Sequence, residues 1–421
     1  MRHIFSLSLI LIATSLLGFA ADPTSTRFSN ENCQGSLKPY PTPQEVYNYP
    51  DSLTPILINQ VGRHGSRYPA SATHCLAMKQ ALQNADSIGS ITALGKELLQ
   101  LTETAISRAN GQWGALDSLG MAEQRGIASR MLANYPTLFN NAKINAISSY
   151  SPRCVMSMFS FTHQLSRLNN RIELFTASGR SHSALMRPFD VDASYEEFRN
   201  ANEWKIPYDE YTKATIPTSA LKRVLGDKYP YERIDAQELA LTQYYVIAGM
   251  SAMMMQCDAS KYFTTEEYNA LWSCFNLRQY LQRTATTVST TPAEIASQLL
   301  IDLISTTDNA TKGDGQYSVI LRFGHAETLM PLLSLMHLNG CYYLTNYFDT
   351  VARNWQDFNV VPMSANLQMV LFRTNKGNYY IRIDHNERPI ALLPDSDKIY
   401  IPWGDAKEHL MRFIPLYYQI M

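Results

Sequence analysis

Residues 53–69 read Leu53-Thr-Pro-Ile-Leu-Ile-Asn-Gln-Val-Gly-Arg-His-Gly-Ser-Arg-Tyr-Pro69. The first nine, Leu53 to Val61, form a short apolar run that predicts a buried strand. The run leads into Gly62-Arg63-His64-Gly65-Ser66-Arg67, a turn that carries glycine. In open α/β sheets, ligands bind beyond the carboxyl ends of the strands, where such a turn exposes backbone N–H groups and side chains. Arg63 and Arg67 flank His64, so the turn would set one imidazole between two guanidiniums. That is a phosphate site with a nucleophile inside it.

The rest of the chain bounds what surrounds this turn. At 421 residues it has room for one large domain or two moderate ones. Hydrophobic residues make up 45% and charged residues 17%, the balance of an ordinary globular protein. The formal net charge of −1 lacks the global basicity that nucleic acid selects, so affinity for phosphate must come from arginines focused in a cleft. A short basic start, Met1-Arg2-His3, precedes a mostly apolar run from Ile4 to Phe19, with cleavage expected after Ala20. Residues 1–20 are thus expected to be a cleaved signal peptide, and the mature protein to be periplasmic or secreted with no membrane span. Six cysteines (Cys33, Cys75, Cys154, Cys257, Cys274 and Cys341) in an exported chain permit disulfides, and residue order alone leaves every pairing open.

Outward from the opening stretch, strand and helix patterns alternate. Helical periodicity marks 77–84, 89–108 and 119–131; strands are expected at 144–150 and 172–176, and a helix from Pro152 to about Leu168. From about 190 to 310 amphipathic stretches dominate, such as 236–256 and 292–304. Strand texture returns at 317–323, before a helix near 327–336, and again at 366–373 and 379–384. The expected fold is α/β, with a mostly parallel central sheet, helices on both faces, and an inserted smaller all-α domain. Residues 21–189 and 311–421 would form the α/β domain and 190–310 the insert.

Two further segments can converge on the turn. Arg322-Phe-Gly-His325-Ala326-Glu327 follows the apolar run Val319-Ile-Leu and opens a helix, where a carboxylate is favoured by the helix N-terminus. Ser148-Ser-Tyr-Ser-Pro-Arg153 would project Arg153 from the first turn of another helix. Phosphoryl transfer needs mainly positioning and neutralisation of charge on the equatorial oxygens. Arg63, Arg67 and Arg153 can supply this as bidentate donors, with His325 as a further donor, so neither metal nor cofactor is expected. His64 must be neutral to attack phosphorus, and nearby arginines favour that form. Glu327 would protonate the leaving oxygen and then take a proton from the water that attacks the phosphohistidine. Competing chemistries lack their residues. No cysteine has an arginine six positions later, the 89–97 segment has the wrong spacing for a P-loop, and Asp190-Val-Asp192 does not follow a buried strand.

Arg63-His64-Gly65-x-Arg67-x-Pro69 resembles the signature of the histidine acid phosphatases, and Arg153 has the context of that family's phosphate-binding arginine. The form His325-Ala326-Glu327 is similar to the branch of multiple inositol-polyphosphate phosphatases. Ala184-Leu-Met-Arg187-Pro-Phe-Asp190 resembles a segment of the same branch, departing from it at Pro188. The resemblance covers most of 50–405 and is weakest across the insert. It implies phytate and lower inositol polyphosphates as substrates, with Arg187 and Lys79 as candidate outer contacts. A broad-specificity acid phosphatase acting on sugar phosphates or other monoesters is the alternative. The resemblance also implies a Cys257–Cys274 disulfide. Oligomeric state is left open.

Overall fold

The computed structural model describes residues 27–394 and 396–420; the expected signal peptide lies outside them. Its centre is a sheet of eight strands among the described residues, in the order β3-β2-β4-β1-β5-β6-β7 with β8 beside β6. The strands are β1 (Leu53–Arg63), β2 (Lys143–Ser148), β3 (Glu173–Ser178), β4 (Val319–Gly324), β5 (Asn366–Thr374), β6 (Tyr379–His385), β7 (Arg388–Ile390) and β8 (Ile401–Pro402). The parallel run that the alternation predicts is β3-β2-β4-β1. A C-terminal antiparallel run extends it, because β5 and β6 are joined by a tight turn through Gly377 and so form a hairpin. Pro55 sits at a bulge between β1 and β5, the irregularity a proline requires inside a sheet.

Alternating residues of β1 enter two different cores. Leu57 and Val61 pack with Leu299, Leu303, Met330 and Leu333 from the helices Ser297–Lys312 and Ala326–Leu335. Ile58 faces the other way, onto Ile127, Met131, Met158, Phe161 and Leu165 of α3 (Ser118–Asn134) and α4 (Pro152–Leu168). Both faces of the sheet are therefore covered, which explains why Ile56, Leu57 and Ile58 of β1 are consecutively apolar. A third core is wholly helical. It joins α1 (Thr73–Ser87) and α2 (Ala93–Ala109) to the helices Ser219–Leu225, Ala236–Ala248 and Thr265–Arg283. No strand lies between residues 183 and 312, and the last helix of that stretch, Ser297–Lys312, packs on the sheet through Leu299 and Leu303.

The expected Cys257–Cys274 disulfide does not form, and all six cysteines are free. Both thiols belong to the helical core but have different neighbours. Cys274 is buried in the Thr265–Arg283 helix among Tyr208, Tyr211 and Tyr245, whereas Cys257 lies in a half-buried loop near Tyr262, Tyr268 and Glu97. Burial pushes Cys274 up to about 12 and Cys257 up to about 11, so both stay protonated thiols.

Candidate active site

Strand register brings the three segments side by side. Arg63 of β1 pairs with Gly324 of β4, and Phe323 of β4 pairs with both Gly62 and Ser148 of its two neighbours. The chains that leave these strands, His64-Gly65, His325-Ala326 and Ser149-Tyr150, therefore emerge at one level of the carboxyl edge. The His64 N–H donates to Gly324 O at 3.0 Å and the Ser149 N–H to Phe323 O at 2.9 Å, carrying the ladder past the strand ends.

The His64 turn is fixed by close backbone packing. A methyl group on Gly65 would stand 2.5 Å from Gly120 O, and one on Gly120 would stand 2.2 Å from Ser66 O. The turn and the first turn of α3 thus touch backbone to backbone, which only glycine permits. From the same helix, Glu123 accepts from Ser66 N–H at 2.9 Å, Ser66 Oγ at 2.6 Å, Ser364 Oγ at 2.8 Å and Tyr40 N–H at 2.9 Å. Gln124 donates to Arg63 O at 3.0 Å, and Ser157 of α4 accepts from Gly65 N–H at 3.1 Å.

His64 itself is buried. Its Nδ1–H donates to Gly65 O at 2.9 Å, because a carbonyl can only accept; the lone pair is then on Nε2. Burial first, then Arg63, Arg153, Arg67 and His325, hold its pKa well below the ordinary value, so the ring is neutral. The His325 ring centroid is 5.7 Å away. Burial brings His325 down to about 3, with Arg153, Arg187 and Arg63 pushing further and Glu327 opposing. Arg153 Nη2 approaches His325 Nδ1 at 3.2 Å, while Arg187 Nη1 and Ser149 Oγ approach Nε2 at 2.7 and 2.9 Å. A neutral imidazole has one lone-pair nitrogen, so His325 accepts from one guanidinium at a time.

A cavity of about 330 Å³ opens over this edge, lined by Arg63, His64, Arg67, Arg153 and Glu327. Arg63 donates through Nη1 to Ser36 O and Val361 O, both at 2.6 Å, and Arg67 Nη1 to Tyr68 O at 2.8 Å. Burial, then Arg67, pulls Arg63 down to about 9; burial, then Arg153, pulls Arg67 down to about 10. Three guanidiniums crowded at one cavity, Arg63 buried and Arg67 and Arg153 half-buried, favour an anion among them. Moreover, the Nε–H groups of Arg63, Arg67 and Arg153 are buried without a partner. Such donors are costly to leave unpaired, and phosphate oxygens would satisfy them.

Glu327 lies in the first turn of the Ala326–Leu335 helix. Burial alone would raise its carboxyl. Arg283, His325, its own backbone N–H and Arg63 outweigh that and hold it far below the usual carboxylate range. Arg283 donates through Nη2 to Glu327 Oε1 at 2.8 Å and also lines the cavity.

Of the two outer contacts, Arg187 reaches the site through His325, over the rings of Tyr150 and Phe189, with its Nε on Asp190 Oδ2 at 2.6 Å. Lys79 does not reach it. It lies on α1 with its ammonium 3.3 Å from Glu103 and does not line the cavity, because its helix turns that face away toward α2. Asp192, part of the aspartate pair set aside in the sequence, caps the Ala193–Asn200 helix by accepting from Tyr195 N–H. Arg283, Glu123 and Ser157 escape the sequence reading. Their available signals are spacings: Phe275, Gln279 and Arg283 recur every four residues, and Glu123 stands three after Gly120.

Comparison with known proteins gives the chain a family and a fold. The family model described as the histidine phosphatase superfamily (branch 2) matches residues 58–386. Human multiple inositol polyphosphate phosphatase 1 is 25% identical over 423 residues, covering 92% of this chain and 85% of its own. The chicken protein of the same name is 24% identical over 385 residues, covering 86% and 82%. The multiple inositol polyphosphate phosphatase of Bifidobacterium longum, solved in complex with inositol hexasulfate, superposes with a TM-score of 0.74 at 17% identity, over 90% of this chain and 97% of its own. The phytase from D. castellii gives 0.71 at 16%, over 96% and 90%. At these identities the solved structures speak to the fold alone.

Proposed function

Because the chain belongs to branch 2 of the histidine phosphatase superfamily, we propose that it is a phosphomonoester hydrolase that removes phosphate from phytate and lower inositol polyphosphates through a phosphohistidine on His64. The observation that carries this is the buried, neutral imidazole with its Nε2 lone pair free, set among three guanidiniums whose Nε–H groups lack partners. The names of the curated relatives supply the substrate class.

In this reading the scissile phosphate sits between Arg63, Arg67 and Arg153, with His325 as a further donor, and the arginines neutralise the equatorial oxygens as charge develops. His64 Nε2 bonds to phosphorus as the bond to the inositol oxygen breaks. Glu327 gives that oxygen its proton, then takes one from the water that attacks the phosphohistidine and releases phosphate. Glu327 is ionised in the free cavity, so it must gain its proton as the anionic substrate arrives and competes for Arg283. The apolar N-terminal run supports export, and we place the mature protein in the periplasm or outside the cell.

The test is a time-resolved product profile from phytate, compared with p-nitrophenyl phosphate. Successive lower inositol phosphates are expected. Preferential turnover of simple monoesters, with phytate untouched, would contradict the reading. Glu327→Gln should slow phytate by about 10²–10⁴-fold and p-nitrophenyl phosphate far less, since p-nitrophenolate leaves without a proton.

A further inference from the structure

Phosphate-binding arginines in this cavity differ in what they hold. Arg63 and Arg67 donate to backbone carbonyls, and Arg153 reaches His325. Arg283 instead holds the carboxylate that the reaction needs in its protonated form. It closes the Thr265–Arg283 helix, which presents Phe275, Gln279 and Arg283 along one stripe to the cavity. Its Nη1 donates to Gln279 Oε1, its Nη2 to Glu327 Oε1 at 2.8 Å, and its buried Nε–H has no partner. About a fifth of the Arg283 side chain and a third of the Glu327 side chain are reachable by solvent, 19% and 32%. An anion entering the cavity can therefore contact both.

We propose that Arg283 is a specificity-determining residue: a second phosphate of the substrate draws its guanidinium off Glu327, and only then does Glu327 take up the proton that the leaving oxygen requires. The proposal rests on the reading of Glu327 as proton donor to an inositol polyphosphate. A phosphate offers more charge and more acceptor oxygens than a carboxylate, and its geometry matches the guanidinium fork. The groups that face Glu327 are Arg283 from the Thr265–Arg283 helix, His325 beside it, Arg63 and Arg67 from the end of β1, Cys154 from α4, and Tyr195 from the Ala193–Asn200 helix. After burial, Arg283 is the strongest of these influences. Once it is occupied elsewhere, and with the phosphate's negative charge also offsetting Arg63, the carboxyl's affinity for a proton rises and a solvent proton binds. That proton passes to the leaving oxygen as the phosphorus–oxygen bond breaks, and the attacking water restores it. A monophosphate fills the Arg63–Arg67–Arg153 site but offers Arg283 nothing, so Glu327 stays ionised.

Inositol hexasulfate, whose sulfates do not titrate near pH 5.5, is the probe. Calorimetry in buffers of different ionisation heat reads the protons taken up on binding. Wild type is expected to gain on the order of one proton per ligand, Glu327→Gln to lose most of that uptake, and Arg283→Gln to show less than half of it. The kcat/KM ratio of inositol hexakisphosphate over inositol monophosphate should fall about tenfold or more in Arg283→Gln, the loss of one charge-assisted contact, and recover in part in Arg283→Lys. The alkaline limb for the monophosphate should move to higher pH in Arg283→Gln. Equal proton uptake in wild type and Arg283→Gln, or an unchanged substrate ratio, would overturn the gate while leaving the phosphatase reading intact. Absence of both hexasulfate binding and hexakisphosphate turnover would instead overturn the substrate reading on which the gate rests.

Discussion

The cavity has two unlike walls. The strand-edge wall (Arg63, His64, Arg67, Arg153) is dense in charge and held by backbone, and every group of the proposed reaction but Glu327 lies within it or beside it. The opposite wall comes from helices and shows Tyr245, Phe275 and Gln279, with Arg283 as its cation. The difference separates chemistry from selection. A phosphate met by the first wall alone could belong to any monoester. In the proposed reading, the second wall meets the remainder of the substrate.

If the chemistry resides in the strand-edge wall, His64→Ala should lower turnover by on the order of 10⁴-fold or more, while the three arginines keep inorganic phosphate binding within about threefold. Turnover assays and titration calorimetry on the same preparation check this pair of outcomes. Substantial residual turnover would move the nucleophile elsewhere and dissolve the contrast.

The strand-edge wall was largely legible from sequence, and for a physical reason. Its residues sit within a few positions of strand ends, so one local pattern carries both the fold and the chemistry. Arg63, His64 and Arg67 lie in a single turn, and Arg153 and Glu327 open helices just after strands. In-register pairing of β1, β4 and β2 then does the rest. The helical wall was not legible. Arg283 is one arginine at the end of a long helix, and only the packing of that helix beside Glu327 gives it a partner 44 residues away. Lys79 shows the converse, since a basic residue on a helix face carries no sign of which neighbour it meets. The disulfide expectation failed likewise, because it came from the family resemblance and not from the side chains that Cys257 and Cys274 meet.

Rigidity of the first wall depends on the Gly65–Gly120 contact. Gly120→Ala should destabilise by about 3 kcal/mol, since its methyl would meet the Ser66 backbone, which cannot yield as a flexible side chain would. Urea unfolding measures this, and a loss below about 0.5 kcal/mol would show that the turn has room to shift.

Acid should weaken the same wall. His325 is held near 3, below its ordinary 6.5, so between these values the unfolded chain binds the extra proton. Its contribution to stability is complete above about pH 6.5 and falls by about 1.4 kcal/mol per pH unit as pH drops toward 3. His325→Gln should therefore flatten the pH dependence of unfolding free energy between pH 6.5 and 4.5 by about 2 kcal/mol. An unchanged slope would mean that His325 does not titrate as its burial demands. The smallest effect concerns the helical side, which packs without crosslinks. Melting in the presence and absence of a reductant should agree within about 1 °C, as expected when no disulfide restrains the unfolded chain. A clear drop under reductant would reinstate a disulfide.

The central claim is that phosphate passes through His64. Mixing enzyme with inositol hexakisphosphate, quenching within one turnover under alkaline conditions that preserve phosphohistidine, and sequencing the peptides by mass spectrometry tests it most directly. The expected result is one phosphoryl group on His64, attached at Nε2 and absent from His64→Ala. An unmodified His64 during active turnover, or a phosphoryl group on another residue, would contradict it.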